Sequence, residues 1–250
     1  MVARALDVVF PRRCAGCGTG PWPFCNGCRG QLVAIEPPWC ARCGSPSLVA
    51  VPRCRDCPPP AVATTRAPFV YEGPAREAIH RLKFTGWRDV AAALAGAIAA
   101  CPDPAPADVV TWVPLARRRL AERGYDQARA LAVGLAHRRD LPVVRLLRRA
   151  IATGPQAKRR GAERREAMRG AFTAVRPPPP RVLLVDDVLT TGATAASCAE
   201  TLLRAGAKEV HVVAAARAIH ASRPLRLFAD DAYPRVGPRP GLWLPGDVPR

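Results

Sequence analysis

Two groups of residues in this 250-residue chain have the types and spacing that chemistry needs. The first is the pair Asp186 and Asp187, which closes the run R-V-L-L-V-D-D and is followed by Thr190, Thr191, Gly192, Ala193 and Thr194. Adjacent carboxylates can hold sugar hydroxyls or a hydrated divalent cation. A loop of hydroxyls and small residues at the start of a helix cradles a phosphate. The first helical N–H groups there lack partners and carry the positive end of the dipole. The second group is eight cysteines in four C-x-x-C pairs: Cys14/Cys17, Cys25/Cys28, Cys40/Cys43 and Cys54/Cys57. Each pair turns two thiolates to one side of a knuckle, and two pairs complete a tetrahedral Zn²⁺ site at about 2.3 Å per bond.

Two structural zinc ions per chain are therefore expected. The segment around the cysteines is rich in Gly, Pro and Arg and poor in apolar residues, so metal binding must supply the free energy that a core does not. A disulfide frame belongs to exported proteins, and nothing here suggests export. Redox chemistry of the thioredoxin kind needs one C-x-x-C on a βαβ unit, not four in a row. Iron–sulfur ligation would use the same thiolates. Sequential and interleaved pairings both satisfy the spacing. Cys101 and Cys198 lie far from these pairs and read as small buried apolar residues.

The acid pair needs a strand to carry it. Residues 182–185 are a continuous apolar run with β-branched members, as in a parallel sheet covered on both faces. The acids then lie at its carboxyl end, where open α/β sheets bind ligands. A helix is expected over 195–205. The stretch contains neither G-x-x-x-x-G-K-[ST] nor G-x-G-x-x-G, so it is neither a P-loop nor a dinucleotide fingerprint. Further strands are expected at 69–71, 109–114, 141–144, 171–175 and 210–216, and helices at 75–84, 89–100 and 125–139. Strands alternating with helices give an α/β fold with a parallel sheet flanked by helices, here preceded by a small zinc-ribbon module. The expected division is 1–60 for the metal module, 61–220 for the α/β domain and 221–250 for a poorly ordered Pro/Arg-rich tail. Residues 58–60 are a stiff proline linker.

The net charge is +18, and 49% of residues are hydrophobic, enough for a real core. Between residues 117 and 169 there are 16 basic and 5 acidic residues, a net of +11. Polyanions are thus plausible partners, whether a pyrophosphate group or nucleic acid. Residues 115–124 form a basic loop at the carboxyl end of the second strand, suited to a second anionic group. Residues 152–169 read either as a solvated basic segment or as a mobile lid. No apolar run reaches the ~18 residues of a membrane span. Without a signal-peptide layout, the cytoplasm is the expected compartment. Aromatic residues for base stacking are few: Trp22, Phe24, Trp39, Tyr71, Phe84 and Trp87.

The stretch 181–194 resembles the ribose-5-phosphate signature of type I phosphoribosyltransferases, an apolar run followed by D-D-x-x-T-T-G-x-T. Around it stand Y-E-G-P-A-R-E-A-I-H-R-L-K-F-T-G, V-P-L-x-x-x-R-x-x-x-R-G-Y-D-Q-A-x-x-L-A, R-A-x-x-T-G-P-Q and E-R-R-E-A-M-R-G-A-F, all after the four C-x-x-C pairs. In this order they resemble the ComF family, also called ComFC or GntX-like, over about residues 10–217. The resemblance implies a double zinc ribbon fused to a type I phosphoribosyltransferase-like domain. It implies binding of phosphoribosyl pyrophosphate with Mg²⁺. In that reading Asp186 and Asp187 contact the ribose, and Thr190, Thr191, Gly192, Ala193 and Thr194 hold the 5′-phosphate. Leu115, Ala116, Arg117 and Arg123 would hold the pyrophosphate. It implies a link to natural competence, with single-stranded DNA and a competence helicase or related protein as partners, and a GntX-type branch is linked by name to gluconate use. Two activities fit: a phosphoribosyltransferase with an unassigned acceptor, or a non-catalytic nucleic-acid-binding or adaptor protein that uses the phosphoribosyl fold as a ligand sensor. Where the family pattern is R-G-[FY]-N-Q, this chain has Asp126 in place of Asn.

Overall fold

The computed structural model describes residues 12–102, 106–149 and 170–219. In chain order the elements are helix α1 (Asn26–Gln31), strands β1 (Thr65–Arg66) and β2 (Phe69–Val70), helices α2 (Gly73–Phe84) and α3 (Val90–Ala99), and strand β3 (Val109–Trp112). Helices α4 (Arg117–Arg123) and α5 (Gln127–Arg139) follow, then strands β4 (Leu147–Arg149), β5 (Phe172–Ala174) and β6 (Arg181–Leu189), helix α6 (Ala193–Arg204) and strand β7 (Glu209–Arg217). The expected lid at 152–169 and tail at 221–250 fall outside the described residues.

The apolar runs build a parallel sheet. β6 lies between β3 and β7, pairing Val109↔Val182 on one side and Arg181↔Glu209 through Leu189↔Arg217 on the other. The short strands β1 and β2 both run parallel along the far edge of β7. Alternate side chains of a strand face opposite sides of the sheet. Accordingly, Leu183 and Val185 pack with Ile79 and Leu82 of α2, Leu94 of α3 and Leu131 and Leu135 of α5. Val182 and Leu184 pack instead with Cys198, Ala199 and Leu202 of α6. Helices thus cover both faces, which is why these strands carry no polar face. α3 is apolar nearly all round because it is buried between its neighbours. Among the described residues, no helix is long and apolar enough to cross a membrane.

Four expectations need correction. The strand predicted at 182–185 runs on to Leu189, so both acids lie within it rather than after it. The predicted strand at 141–144 is a single bridge from Val143 to Val110. Pro142 lends its carbonyl to Val110 but has no N–H with which to continue the ladder. β5 falls inside the predicted 171–175, yet it pairs antiparallel with β4 in a separate two-stranded ribbon. The basic loop at 115–124 is mostly helix: α4 has no buried residue and closes on Gly124 in the left-handed region, with φ 73°. With no apolar stripe it gave no helical periodicity to read.

The cysteine-bearing segment packs directly on this framework. Cys14, Ala15, Phe24, Cys28 and Leu32 belong to the same buried cluster as α2, α3 and α5. Cys101 and Cys198 are buried, as expected of small apolar residues.

Candidate functional site and metal centres

Successive residues on a strand point to opposite faces, and this separates the two acids. Asp187 enters the face covered by α2 and α5 and is 7% exposed. Lys83, in the last turn of α2, places Nζ 2.6 Å from Asp187 Oδ1. Gln127, the first residue of α5, donates from Nε2 to Asp187 Oδ2 at 2.8 Å. Asp186 takes the other face, on the side of buried Cys198, and is partly exposed. Its Oδ1 accepts the Asp187 backbone N–H at 2.8 Å. Burial, and then the neighbouring Asp187 charge, push the Asp186 carboxyl up to about 8.

Directly after Leu189 the chain turns through Thr190 and Thr191, both exposed, into α6. Gly192 is the N-cap, at φ 73°, and no side chain caps the helix there. The Ala193 N–H makes only a long contact of 3.4 Å to Thr191 Oγ1. The first-turn amides of this 12-residue helix therefore open onto the carboxyl end of the sheet, beside the acids. A Cβ placed on Gly192 would stand 3.3 Å from Pro58 Cβ, so the residue that follows Cys57 roofs the loop.

The residues expected to hold a pyrophosphate are differently engaged. The Leu115 N–H is bound by Asp126 Oδ2 at 3.1 Å. Ala116 is the N-cap of α4, and Arg117 is exposed at its start. Arg123 lies half-buried with its guanidinium 4.7 Å from the Phe84 ring centroid, and its Nη1 is buried without a hydrogen-bond partner. The carboxylate of Asp126 also accepts the Ala128 and Arg129 N–H groups at 3.1 and 3.2 Å, so it caps α5 and ties the preceding loop to it. Asn in its place keeps one accepting oxygen. Asp126→Ala is expected to lower stability by about 1–2 kcal/mol, and Asp126→Asn by much less. Denaturant midpoints of the two variants check this; equal losses would show that the side chain is not a cap.

Lys83 and Gln127 were not singled out in the sequence, although each left a signal there. Lys83 is one of only three lysines among 38 basic residues. Gln127 follows the capping acid in R-G-Y-D-Q-A, a position that brings it to the sheet edge. What linear spacing could not reveal is that both converge on Asp187, across 104 and 60 positions. Of the six aromatic residues named above, only Phe84 is exposed, at 61%.

The cysteines gather sequentially: Cys14, Cys17, Cys25 and Cys28 in one cluster, and Cys40, Cys43, Cys54 and Cys57 in the other. Sulfur–sulfur distances are 3.8 Å for Cys17–Cys25, 3.6 Å for Cys40–Cys57 and 3.5 Å for Cys43–Cys54. The edge of a tetrahedron with ~2.3 Å bonds is about 3.8 Å, whereas a disulfide needs ~2.05 Å. Backbone N–H groups of Cys25 and Cys54 point at the sulfurs of Cys14 and Cys40 at 3.3 and 3.2 Å, and such donors stabilise thiolates. Both clusters fit structural Zn²⁺. Each is also bound to the framework. Arg81 of α2 donates to the carbonyls of Ala15 (2.8 Å) and Gly16 in the first knuckle. In the second, Thr65 Oγ1 donates to the Cys43 carbonyl at 2.6 Å, Arg217 donates to the same oxygen, and Arg66 donates to Ala41 at 2.7 Å.

The geometry of the cysteine clusters agrees with a match to a known module. A double zinc ribbon domain model matches residues 5–58. The DNA utilization protein YhgH of Salmonella typhi is 32% identical over 207 residues, covering 76% of this chain and 88% of that protein. Competence protein F of Haemophilus influenzae is 29% identical over 209 residues, covering 78% and 90%. Among solved structures, the glutamine phosphoribosylpyrophosphate amidotransferase of B. subtilis matches 54% of this chain and 30% of its own, at 26% identity and a TM-score of 0.39. A double zinc ribbon followed by a parallel sheet flanked by helices, in a chain this similar along most of its length to YhgH, belongs to the ComF family.

Proposed function

We propose that this chain binds phosphoribosyl pyrophosphate at the carboxyl end of β6 and serves the handling of DNA in competence. One observation carries the reading: only residues 188–192 separate the acid pair from the open first-turn amides of α6, so a ribose and its 5′-phosphate reach both at once. The names of its relatives support the link to competence and DNA use.

The residues divide the work. The first-turn amides of α6 and the Thr191 and Thr194 hydroxyls hold the 5′-phosphate, turning binding energy remote from the reacting carbon into alignment. The partly exposed Asp186 faces the ribose hydroxyls, while Asp187, oriented by Gln127, supplies negative charge close to the ring. That charge favours a ribose carbon turning cationic as pyrophosphate departs. Mg²⁺ fits here beside one carboxylate, since the two acids point to opposite faces of β6, if the donor supplies the remaining oxygens, which is how this ion is usually held; bound there, it would neutralise the leaving pyrophosphate. The corresponding activity is pentosyl transfer to an acceptor nucleophile, with the C1–O bond to pyrophosphate broken and a bond from C1 to the acceptor formed.

A second reading rests on α4. Arg117, Arg118 and Arg119 are all exposed, on a helix that buries nothing, beside the same end of the sheet. Such a surface suits a phosphate backbone, and binding there would weaken steeply with salt.

Calorimetric titration of phosphoribosyl pyrophosphate with Mg²⁺ tests the main reading. Above pH 8, where the Asp186 carboxyl is ionised, Asp186→Asn is expected to weaken binding by about tenfold or more, the scale of a hydrogen bond to a charged group. Lys208→Ala, at the opposite end of the sheet where β7 begins, should leave it unchanged. Equal affinities for the two variants would remove Asp186 from the site.

A further inference from the structure

Lys83 is a lysine where this chain almost always uses arginine. Its ammonium reaches from the end of α2 across to the strand and lies 2.6 Å from Asp187 Oδ1. The pair is largely shielded, with side-chain exposures of 19% and 9%. Gln127 serves the second oxygen, so both oxygens of Asp187 have a partner. A divalent cation cannot share Oδ1 with an ammonium at that distance, because two positive charges would stand within a few ångströms in a poorly screened site.

The choice of residue follows from the same conflict. An arginine would clamp the carboxylate through two fixed hydrogen bonds. A lysine is a point charge on a flexible stem and can swing away without breaking a bidentate fork. Gln127 is neutral and can keep its hydrogen bond while the charge on the other oxygen is exchanged. Its own Oε1, buried and without a partner, is free to accept from an incoming hydroxyl.

We propose that Lys83 is a displaceable counter-ion of Asp187. It occupies the carboxylate in the free protein and gives way only when the donor delivers a divalent cation, so that cation and donor bind together and not singly. The proposal rests on the donor reading above. It makes Lys83 a positioning residue that sets the order of binding.

Mn²⁺ provides the probe, read by electron paramagnetic resonance on the full, zinc-loaded chain with and without phosphoribosyl pyrophosphate. The parent is expected to bind Mn²⁺ weakly alone and more tightly with the donor. Lys83→Met should bind Mn²⁺ alone about tenfold tighter or more, within the usual range of coupling between two sites. Lys83→Arg should not gain, and adding Asp187→Asn to Lys83→Met should return the Mn²⁺ affinity to that of the parent. A folded Lys83→Met with no gain overturns the proposal. Should that variant fail to fold, Lys83→Gln takes its place under the same criterion. If the parent takes up no phosphoribosyl pyrophosphate while Lys83→Met still gains Mn²⁺ through Asp187, the donor reading fails and the counter-ion role stands.

Discussion

Stripping zinc from the protein is expected to unfold the whole described framework in one transition and to abolish donor binding with it. A structural zinc centre contributes roughly 10–16 kcal/mol of apparent binding free energy. A domain of ordinary size has only about 5–15 kcal/mol of net stability. The loss of one centre is therefore as large as everything that holds the fold. It would stay local only if the ribbons stood apart, and they do not. The first knuckle shares its buried cluster with α2, α3 and α5 and is held by Arg81, two residues before Lys83. The second is tied more tightly still. Arg42, inside its first C-x-x-C, donates to the carbonyls of Pro58, Pro59 and Val62 at 2.9, 2.9 and 2.8 Å, fixing the chain that leads from Cys57 into β1.

The second knuckle also satisfies a buried charge. Arg217, at the end of β7, is 8% exposed, and burial lowers its pKa. Its guanidinium donates to the Cys43 carbonyl and, at 2.5 Å, to Thr65 Oγ1. If the knuckle opens, that guanidinium loses the Cys43 carbonyl and keeps only Thr65 Oγ1, and a lost hydrogen bond to a charged group costs about 1.5–3 kcal/mol. Cys43→Ser should therefore lower the melting temperature sharply, and treatment with a strong chelator should do the same to the parent. Circular dichroism with temperature, metal analysis and a donor titration of the same sample check the prediction. Two separate transitions, with donor affinity retained after the first, would show that the ribbons are an independent appendage.

How much of this was legible in sequence depends on whether the signal is local. The C-x-x-C spacing and the D-D-x-x-T-T-G-x-T run are contiguous, so two four-cysteine centres and an acid–loop–helix arrangement follow from reading along the chain. The element order also followed, because Val182–Val185 and residues 210–216 have the unbroken apolar character of doubly covered strands. What could not be read is which residues meet across the fold. Lys83 and Gln127 reach Asp187 through the stacking of α2 and α5 on one face. Arg42 and Arg217 look like ordinary surface charge in a chain of high basic content, yet they are the fasteners between ribbon and sheet. Reading Asp186 and Asp187 side by side along the chain also does not show the pleat. A strand carries its neighbours to opposite faces, and only the extension of β6 to Leu189 reveals that the acids live in different surroundings.

Replacing Gly192 with valine is expected to weaken donor binding about a hundredfold while leaving the fold intact, since a displacement of about 1 Å in a positioned group can cost that much. Gly192 has φ 73°, where a side chain costs roughly 1–2 kcal/mol and a β-branched one is a true outlier. Its Cβ would also stand 3.3 Å from Pro58 Cβ, and Pro58 cannot easily retreat because its carbonyl is held by Arg42. The loop itself must give, and it carries the first amides of α6 away from the 5′-phosphate. Strain alone is separable from this displacement. Gly206, just past the other end of α6, has φ 114° and open space where a Cβ would stand. Gly206→Val should therefore cost similar stability through its backbone, at the far end of the helix from the phosphate loop. Paired melting curves and donor titrations of the two variants make the comparison. Comparable loss of stability with loss of affinity only in Gly192→Val identifies the roofed loop as the phosphate cradle; an unchanged affinity in Gly192→Val would move the phosphate elsewhere.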